Sequence, residues 1–389
     1  SARVARDAWL AQLAAAPDPG AEPWPDDADA IAVLLFTSGT TGAPKAAVLR
    51  HRHLVSYVLA AVEFGAAAAD EAALVAVPPY HVAGIAAVLS SVYAGRRIVQ
   101  LPHFDARAWL DVAARERVTH AFVVPTMLAR IVEALEQRPA PLPSLRALAY
   151  GGGRMPRPVI ERALALWPQV DFTNAYGLTE TSSTVALLGP DDHRAAHASG
   201  DETLRRRLAS AGRALPGVEI EVRDPDGKPV AAGVSGEVWV RGEQVAGEYL
   251  ERASALSPDG WLPTRDAGHL DADGYLFLEG RLDDVIVRGG ENLAPGEIED
   301  ALRAHPAVAD CAVVGVPDAQ WGEAVAAAIV LRPGADAGAD ALRAWVRERL
   351  RSSRTPAQIA FCDALPYTET GKLLRRRVRA EQFGAEPRP

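Results

Sequence analysis

A chain of 389 residues is too long for one ordinary hydrophobic core, so two or three domains are expected. Its composition, 49% hydrophobic and 23% charged, is that of a globular protein, and a formal net charge of −9 gives no general attraction for nucleic acid. Two cysteines, Cys311 and Cys362, are too few for a disulfide framework and stand in no metal-binding spacing; both read as reduced residues of a cytoplasmic protein, a single bridge between them being the alternative.

The opening stretch "SARVARDAWLAQLAAAPDPG" reads as a short helix closed by a Pro/Gly break, without the apolar centre of a signal peptide, and its first serine suggests a processed or truncated start. No run approaches about 18 uninterrupted apolar residues, so no transmembrane span is expected. "IAVLLF" (31–36) reads as a buried strand that ends at "TSGTTGAPK". "AALVAVPPYHVAGIAAVLSSVYAG" predicts a strand, a Pro-Pro turn and a helix opening around Gly84. "RRIVQLP" and "THAFVVPT" read as further buried strands, with an amphipathic helix in "DARAWLDVAARERV" between them. "LRALAYGGG" and "VDFTNAYGLTET" repeat the pattern of a strand followed by a glycine-containing loop. Strands alternating with helices predict a largely parallel, doubly wound α/β sheet with ligands at the carboxyl ends of its strands.

Beyond residue 210 the texture changes. "GVEIEVRDPDGKPVAAGVSGEVWVRG" has short alternating strands and an Asp-Gly turn, which predict an antiparallel sheet or a small barrel. From "PGEIEDALRAHPAV" onward helix and strand alternate again, as in a small α+β domain. The boundary is placed at Asp283, giving residues 1–282, β-rich over about 210–282, and residues 283–389. The arginine clusters at 205–207 and 375–379 read as solvated helix faces.

The loop after the first strand carries the chemistry. A nucleotide P-loop needs Gly, four residues, Gly-Lys, then Ser or Thr. Here Gly39 and Gly42 stand three apart, Pro44 precedes Lys45 and Ala46 occupies the hydroxyl position, so that motif is excluded. The anion-binding chemistry survives: glycines let backbone amides close on a phosphate. Thr37, Ser38, Thr40 and Thr41 add hydroxyl donors, and Lys45 adds a point charge. The alternative is a polar turn between strand and helix.

"FTSGTTGAPK" resembles the signature loop of the ANL superfamily: acyl-CoA synthetases, adenylation domains of non-ribosomal peptide synthetases, and luciferases. Five further stretches follow in that family's order: "NAYGLTET", "GEVWVRGEQVAGEYL", "GWLPTRDAG", "GRLDDVIVRGGENLAPGEIE" and "TETGKLLRR". The resemblance covers nearly the whole chain. It implies a two-domain enzyme in which a carboxylate attacks the α-phosphorus of ATP, releasing pyrophosphate, and a thiol, usually coenzyme A, then displaces AMP. Mg²⁺, ATP and coenzyme A are the implied cofactors. The resemblance also admits a carrier-protein phosphopantetheine as acceptor, a non-catalytic nucleotide- or acyl-binding relative, and a homodimer.

Roles follow motif by motif from the resemblance. Thr37, Ser38, Gly39, Thr40, Thr41, Gly42 and Lys45 are implied to hold the β- and γ-phosphates. Gly151, Gly152 and Gly153 would pass close to the adenine, with Asn174, Ala175, Tyr176 and Gly177 completing that side and Tyr176 lying against the ring. Thr179 would contact the α-phosphate and Glu180 would hold Mg²⁺, a plain solvated loop acid being the alternative. Asp266 and Arg281 would bind the ribose, and Lys372 would bridge the carboxylate and the α-phosphate. Asp283 is the implied hinge, and Gly289 and Gly290 line the implied CoA tunnel. His81, Val82 and Gly84 fall at the acyl pocket, where a helix-capping histidine is the alternative for His81. With no aspartate in "HVAG" to meet an ammonium, a fatty or aryl acid is expected instead of an amino acid.

Three features depart from the family pattern. Only 35 residues precede Phe36, so an amino-terminal region shortened by nature or truncation is expected. Arg265 replaces the usual glycine of Thr-Gly-Asp and is expected to alter the ribose side or meet a phosphate. Arg288 stands in the hinge motif, facing either the CoA nucleotide or solvent, with solvent the favoured expectation.

Overall fold

The computed structural model describes residues 11, 15, 27–37, 45–368 and 373–385. β1 (Ile31–Thr37) pairs antiparallel with β2 (Lys45–Arg50) as a two-stranded sheet, and α1 (His51–Ala61) follows. The hydroxyl-rich sequence between them therefore connects two antiparallel strands, where a connection from strand to helix was the alternative. Nor is β1 the buried strand that its composition suggests. Leu35 faces a small cluster with Leu49, Leu54, Val82 and Ala246, whereas Phe36 is 72% exposed. An uninterrupted apolar run carries no periodicity, so the run alone cannot say that one face is open.

Seven strands form the main sheet. β3 (Ala72–Val75), α2 (Val82–Ala94), β4 (Arg97–Gln100), α3 (Ala106–Arg115), β5 (His120–Val123) and α4 (Pro125–Gln137) come first. Next are β6 (Ala147–Gly151), α5 (Arg157–Leu166), β7 (Asp171–Leu178), β8 (Ser183–Leu188), α6 (Pro190–Ala198), α7 (Glu202–Arg206) and β9 (Arg213–Ala214). The spatial order is β4-β3-β5-β6-β7-β8-β9, parallel as far as β7 and antiparallel beyond it. The expected doubly wound α/β character holds for this parallel part. β4 is an edge strand with Ile98 exposed, which corrects the expectation of a buried strand there. α3 shows why the helices lie on the sheet: Asp105 caps it by accepting from the Ala108 amide at 2.9 Å, and Trp109, Leu110 and Ala113 turn inward.

The β-rich segment is an open antiparallel sheet, β10 (Val218–Arg223), β11 (Gly236–Gly242), β12 (Leu262–Leu270) and β13 (Leu276–Arg281), adjacent in that order and not closed into a barrel. A 3₁₀ turn, Leu282–Asp284, leads out of β13. Then come β14 (Ile286–Arg288), β15 (Glu291–Leu293), α8 (Pro295–Arg303), β16 (Val308–Asp318), β17 (Gly322–Leu331), α9 (Ala339–Arg349), β18 (Gln358–Phe361) and α10 (Arg375–Phe383). β17 shows how an alanine-rich strand can be central. Val325, Ala327 and Ile329 enter one hydrophobic cluster, while Ala324, Ala326 and Ala328 enter another on the opposite face.

The arginine clusters are not simply solvated. Arg207 stacks 4.1 Å from the Tyr275 ring centroid. Arg375 lies inside the carboxy-terminal unit, paired with the buried Glu299 and donating to the Val313 carbonyl at 2.8 Å. Burial alone would raise the Glu299 carboxyl, but Arg375 and Arg303 outweigh it and hold it below the usual range.

Beneath the β6 glycines, the buried Tyr150 and His193 form one hydrogen-bonded pair. His193 Nδ1 faces the Gly189 carbonyl at 2.7 Å, which can only accept, so Nδ1 carries the proton and Nε2 accepts from the Tyr150 hydroxyl at 2.8 Å. That arrangement requires a neutral ring, and burial pushes the His193 pKa down to about 4. The unfolded chain, with a histidine pKa of about 6.5, binds this proton first as pH falls. Stability from His193 is thus present above about pH 6.5 and lost as pH falls toward 4. His193→Gln should flatten this part of the profile, by on the order of 2–3 kcal/mol between pH 7 and 4, in urea titrations of both proteins. Parallel profiles would contradict the buried neutral ring.

Candidate active site

The site is assembled around the carboxyl end of β7. Most of "NAYGLTET" is strand, since β7 runs to Leu178 and only Thr179–Thr181 form a 3₁₀ turn. Backbone proximity explains the glycines. A Cβ on Gly151 would lie 2.2 Å from the Ala175 carbonyl oxygen, and one on Gly177 would lie 1.7 Å from that of Ser183. Gly152 has a φ of +78°, and Gly153 lies beside Pro125. Asn174 serves the framework, donating from Nδ2 to the Ser210 carbonyl at 2.8 Å.

Tyr176, Asp266 and Arg281, predicted from three separate motifs, meet. The Tyr176 hydroxyl donates to Asp266 Oδ2 at 2.6 Å, and Arg281 Nε sits 3.1 Å from Asp266 Oδ1. β12 and β13 bring the last two into register, with Asp266 paired opposite Arg281. Arg281 also donates to the Thr264 carbonyl at 2.7 Å, and the Thr264 hydroxyl oxygen accepts from the Asp266 amide at 3.1 Å. Burial, with the Asp266 carboxylate beside it, pushes the Tyr176 phenol well above its ordinary range, so it stays a donor.

Glu180, in the 3₁₀ turn, accepts a hydrogen bond at Oε1 from the Tyr249 hydroxyl. Its backbone carbonyl accepts from the amides of Ala246 at 2.8 Å and Gly247 at 3.2 Å. Lys45 opens β2 with Nζ 5.6 Å from the Tyr249 ring centroid. Tyr249 stands in the quoted stretch "GEVWVRGEQVAGEYL" but receives no role from it: it lies 69 positions from Glu180, and nothing local signals the contact. Among the described residues no group of three acidic, histidine or cysteine side chains could hold an ion alone. A lone carboxylate suits Mg²⁺, which takes one or two protein carboxylates and completes its shell with phosphate oxygens and water.

Ser38, Gly39, Thr40, Thr41, Gly42 and Lys372 lie outside the described residues, as does the Thr37 side chain. His81 caps α2, its Nδ1 accepting from the Ala83 amide at 3.3 Å, which is the capping alternative. The helix opens at Val82, which is buried, and Gly84 is packed so that a Cβ would lie 2.5 Å from the Pro78 carbonyl oxygen. Asp283 lies in the 3₁₀ turn, and Arg265 Nη2 donates to its Oδ1 at 2.9 Å. Arg265 thus reaches with its side chain the 3₁₀ turn that follows β13. Its φ of +62° also explains why glycine is usual at this position. Arg288 is no plain solvent residue either, with its guanidinium 4.9 Å from the Trp321 ring centroid. Gly289 has a φ of +58° and abuts Trp321, and Gly290 has a φ of +84°.

Comparison with known proteins matches the AMP-binding enzyme family over residues 2–250 and the AMP-binding enzyme C-terminal domain over residues 297–372. A feruloyl-CoA synthase from Amycolatopsis sp. is 37% identical over 360 residues, 92% of this chain and 70% of the relative. A fatty acid–[acyl-carrier-protein] ligase from Streptomyces coeruleorubidus is 35% identical, over 94% of this chain and 71% of its own. Among solved structures, o-succinylbenzoate coenzyme A synthetase from Bacillus subtilis, in complex with ATP and magnesium ion, superposes with a TM-score of 0.78 at 32% identity, covering 91% of this chain and 70% of that one.

The glycine contacts make a direct prediction. Gly151→Ala forces β6 and β7 apart at the Ala175 carbonyl and should cost about 2–3 kcal/mol. A urea midpoint lowered at constant m-value is the expected result, and an unchanged midpoint would refute the close approach.

Proposed function

This chain belongs to the AMP-binding enzyme family, and on that premise we propose that it is an ATP-dependent acid–CoA ligase: it adenylates a carboxylic acid with release of pyrophosphate, then passes the acyl group to coenzyme A with release of AMP. The observation that supports this best is the meeting of Tyr176, hydrogen-bonded to Asp266, with Arg281, ion-paired to the same carboxylate.

In this reading Asp266 accepts the two ribose hydroxyls with the lone pairs left by Tyr176 and Arg281. Tyr176, its hydroxyl fixed on Asp266, offers its ring to the adenine, beside the backbone of Gly151, Gly152 and Gly153. Ala175 and Gly177, without bulk, leave that side clear. Thr179 donates to the α-phosphate. Glu180 is the protein ligand of Mg²⁺, which when bound neutralises charge on the phosphates. Lys45 and the hydroxyl-rich loop before it hold the part of ATP that leaves. Lys372 stabilises the charge that develops as the carboxylate attacks the α-phosphorus.

Asp283 is the proposed boundary and hinge, dividing residues 1–282 from 283–389. The 3₁₀ turn Leu282–Asp284 supports it, lying between the antiparallel sheet and the cluster that begins at Ile286. Rotation there withdraws Lys372 and brings Gly289 and Gly290 to the site, where they line the path of the thiol. The acid is fatty or aryl, admitted past His81, Val82 and Gly84. A carrier-protein thiol as acceptor is the second reading, favoured by the similarity to a fatty acid–[acyl-carrier-protein] ligase.

Incubation with ATP, Mg²⁺ and a panel of fatty, aryl and dicarboxylic acids tests the first step by pyrophosphate release. Addition of coenzyme A or a phosphopantetheinylated carrier protein then identifies the acceptor. No release with any acid would leave a nucleotide- or acyl-binding protein. Lys372→Ala should abolish acyl-adenylate formation, by 10²-fold or more on the order expected for loss of a transition-state cation. It should spare thioester formation from supplied acyl-adenylate, and equal loss in both half-reactions would remove Lys372 from its role.

A further inference from the structure

The loop that follows β11 returns to the site and is anchored on both sides. The Val48 amide donates to the Glu248 carbonyl and the Leu250 amide to the Ala46 carbonyl, each at 2.9 Å, so residues 248–250 lie along β2 as an added edge. Ala47 and Tyr249 are bridged as antiparallel partners. Arg50 fastens the same segment through two bonds to the Glu248 carboxylate, at 2.8 and 2.6 Å. Two residues earlier, the amides of Ala246 and Gly247 grip the Glu180 carbonyl. Tyr249 is thus fixed by backbone to the strand that begins at Lys45, while its hydroxyl reaches Glu180 on the 3₁₀ turn.

We propose that Tyr249 is a positioning residue for adenylation. It holds the Glu180 carboxylate through Oε1 so that Oε2 is presented to the magnesium that accompanies ATP, and it ties that carboxylate to the strand carrying Lys45. The proposal rests on the adenylation reading above. Three observations support it: the hydroxyl–carboxylate hydrogen bond, the Lys45 ammonium 5.6 Å from the same ring, and the paired backbone bonds that fix the main chain on both sides of Tyr249. Partners that orient a ligating carboxylate in this way typically change metal affinity 10–100-fold. The two features being coupled, the phosphate-binding strand and the metal-facing acid, lie more than a hundred residues apart in sequence but share one tyrosine.

Tyr249→Phe keeps the ring, its packing and its place near Lys45, and removes only the hydroxyl. Binding of Mn²⁺·ATP to the 389-residue chain is followed by Mn²⁺ electron paramagnetic resonance, beside ATP binding in EDTA. The expected result is Mn²⁺·ATP binding weakened by about 10-fold, metal-free ATP binding unchanged, and a matching rise in the Mg²⁺ needed for half-maximal pyrophosphate exchange. In a Glu180→Gln background the same substitution should have no further effect, since Tyr249 acts through that carboxylate. The proposal is overturned if Mn²⁺·ATP affinity is unchanged, if metal-free ATP binding falls equally, or if the two substitutions are additive. Failure of the unsubstituted chain to bind Mn²⁺·ATP would overturn the adenylation reading, and the proposal with it.

Discussion

Carboxylates in partly buried surroundings need hydrogen-bond donors, and this requirement organises the site. Asp266 and Glu180 each receive a tyrosine hydroxyl, from Tyr176 and Tyr249 respectively. Each bond crosses between separate pieces of structure: the first joins the main sheet to the antiparallel sheet, the second joins the 3₁₀ turn after β7 to the segment lying along β2. Removal of a donor from such a carboxylate leaves it under-solvated, which costs more than the bond itself contributes. The two tyrosines therefore bridge three sheets at one place, which is where the nucleotide is proposed to lie.

Glycines do the complementary work. At Gly151 and Gly177 the backbones of neighbouring strands approach so closely that no side chain fits. The carboxyl ends of β6 and β7 are kept bare, which suits a flat ring laid against the backbone. The buried Tyr150–His193 pair supports β6 from below.

The ion pairs divide by burial in a way that bears on the proposed rotation. Arg375 with Glu299 is internal to the carboxy-terminal unit and buried, and breaking such a pair typically costs several kcal/mol. Nearby, the Leu374 amide donates to the Pro366 carbonyl at 2.9 Å and the Tyr367 hydroxyl donates to Asp310 at 2.7 Å. The pairs that span the proposed boundary, Arg154–Asp300 at 2.5 Å and Arg265–Asp283 at 2.9 Å, have side chains roughly one-third to one-half exposed or more. Pairs of that kind contribute about 0–1 kcal/mol and are screened by salt. Contacts within the unit can therefore hold while contacts across the boundary exchange, the pattern a domain rotation requires.

What the sequence determined by itself was local. The glycine and hydroxyl runs, the alternation of apolar strand and amphipathic helix, the Asp-Gly turn and the motif order are properties of neighbouring residues. They were enough for the fold class, and the resemblance that the motif order carries placed Tyr176, Asp266, Arg281 and Glu180 in one candidate site. Local pattern could not tell that "IAVLLF" is half open, that "RRIVQLP" forms an edge, or that Arg375 pairs with a buried Glu299, because exposure and pairing depend on what other elements cover. Only the tertiary structure decided that Tyr249 meets Glu180 and that Arg265 meets Asp283. These contacts join residues 69 and 18 positions apart. Their physical reason lies in sheet pairing: hydrogen bonds between β2 and residues 248–250, and between β12 and β13, deliver side chains to one another across stretches of chain that carry no periodic sign of the encounter.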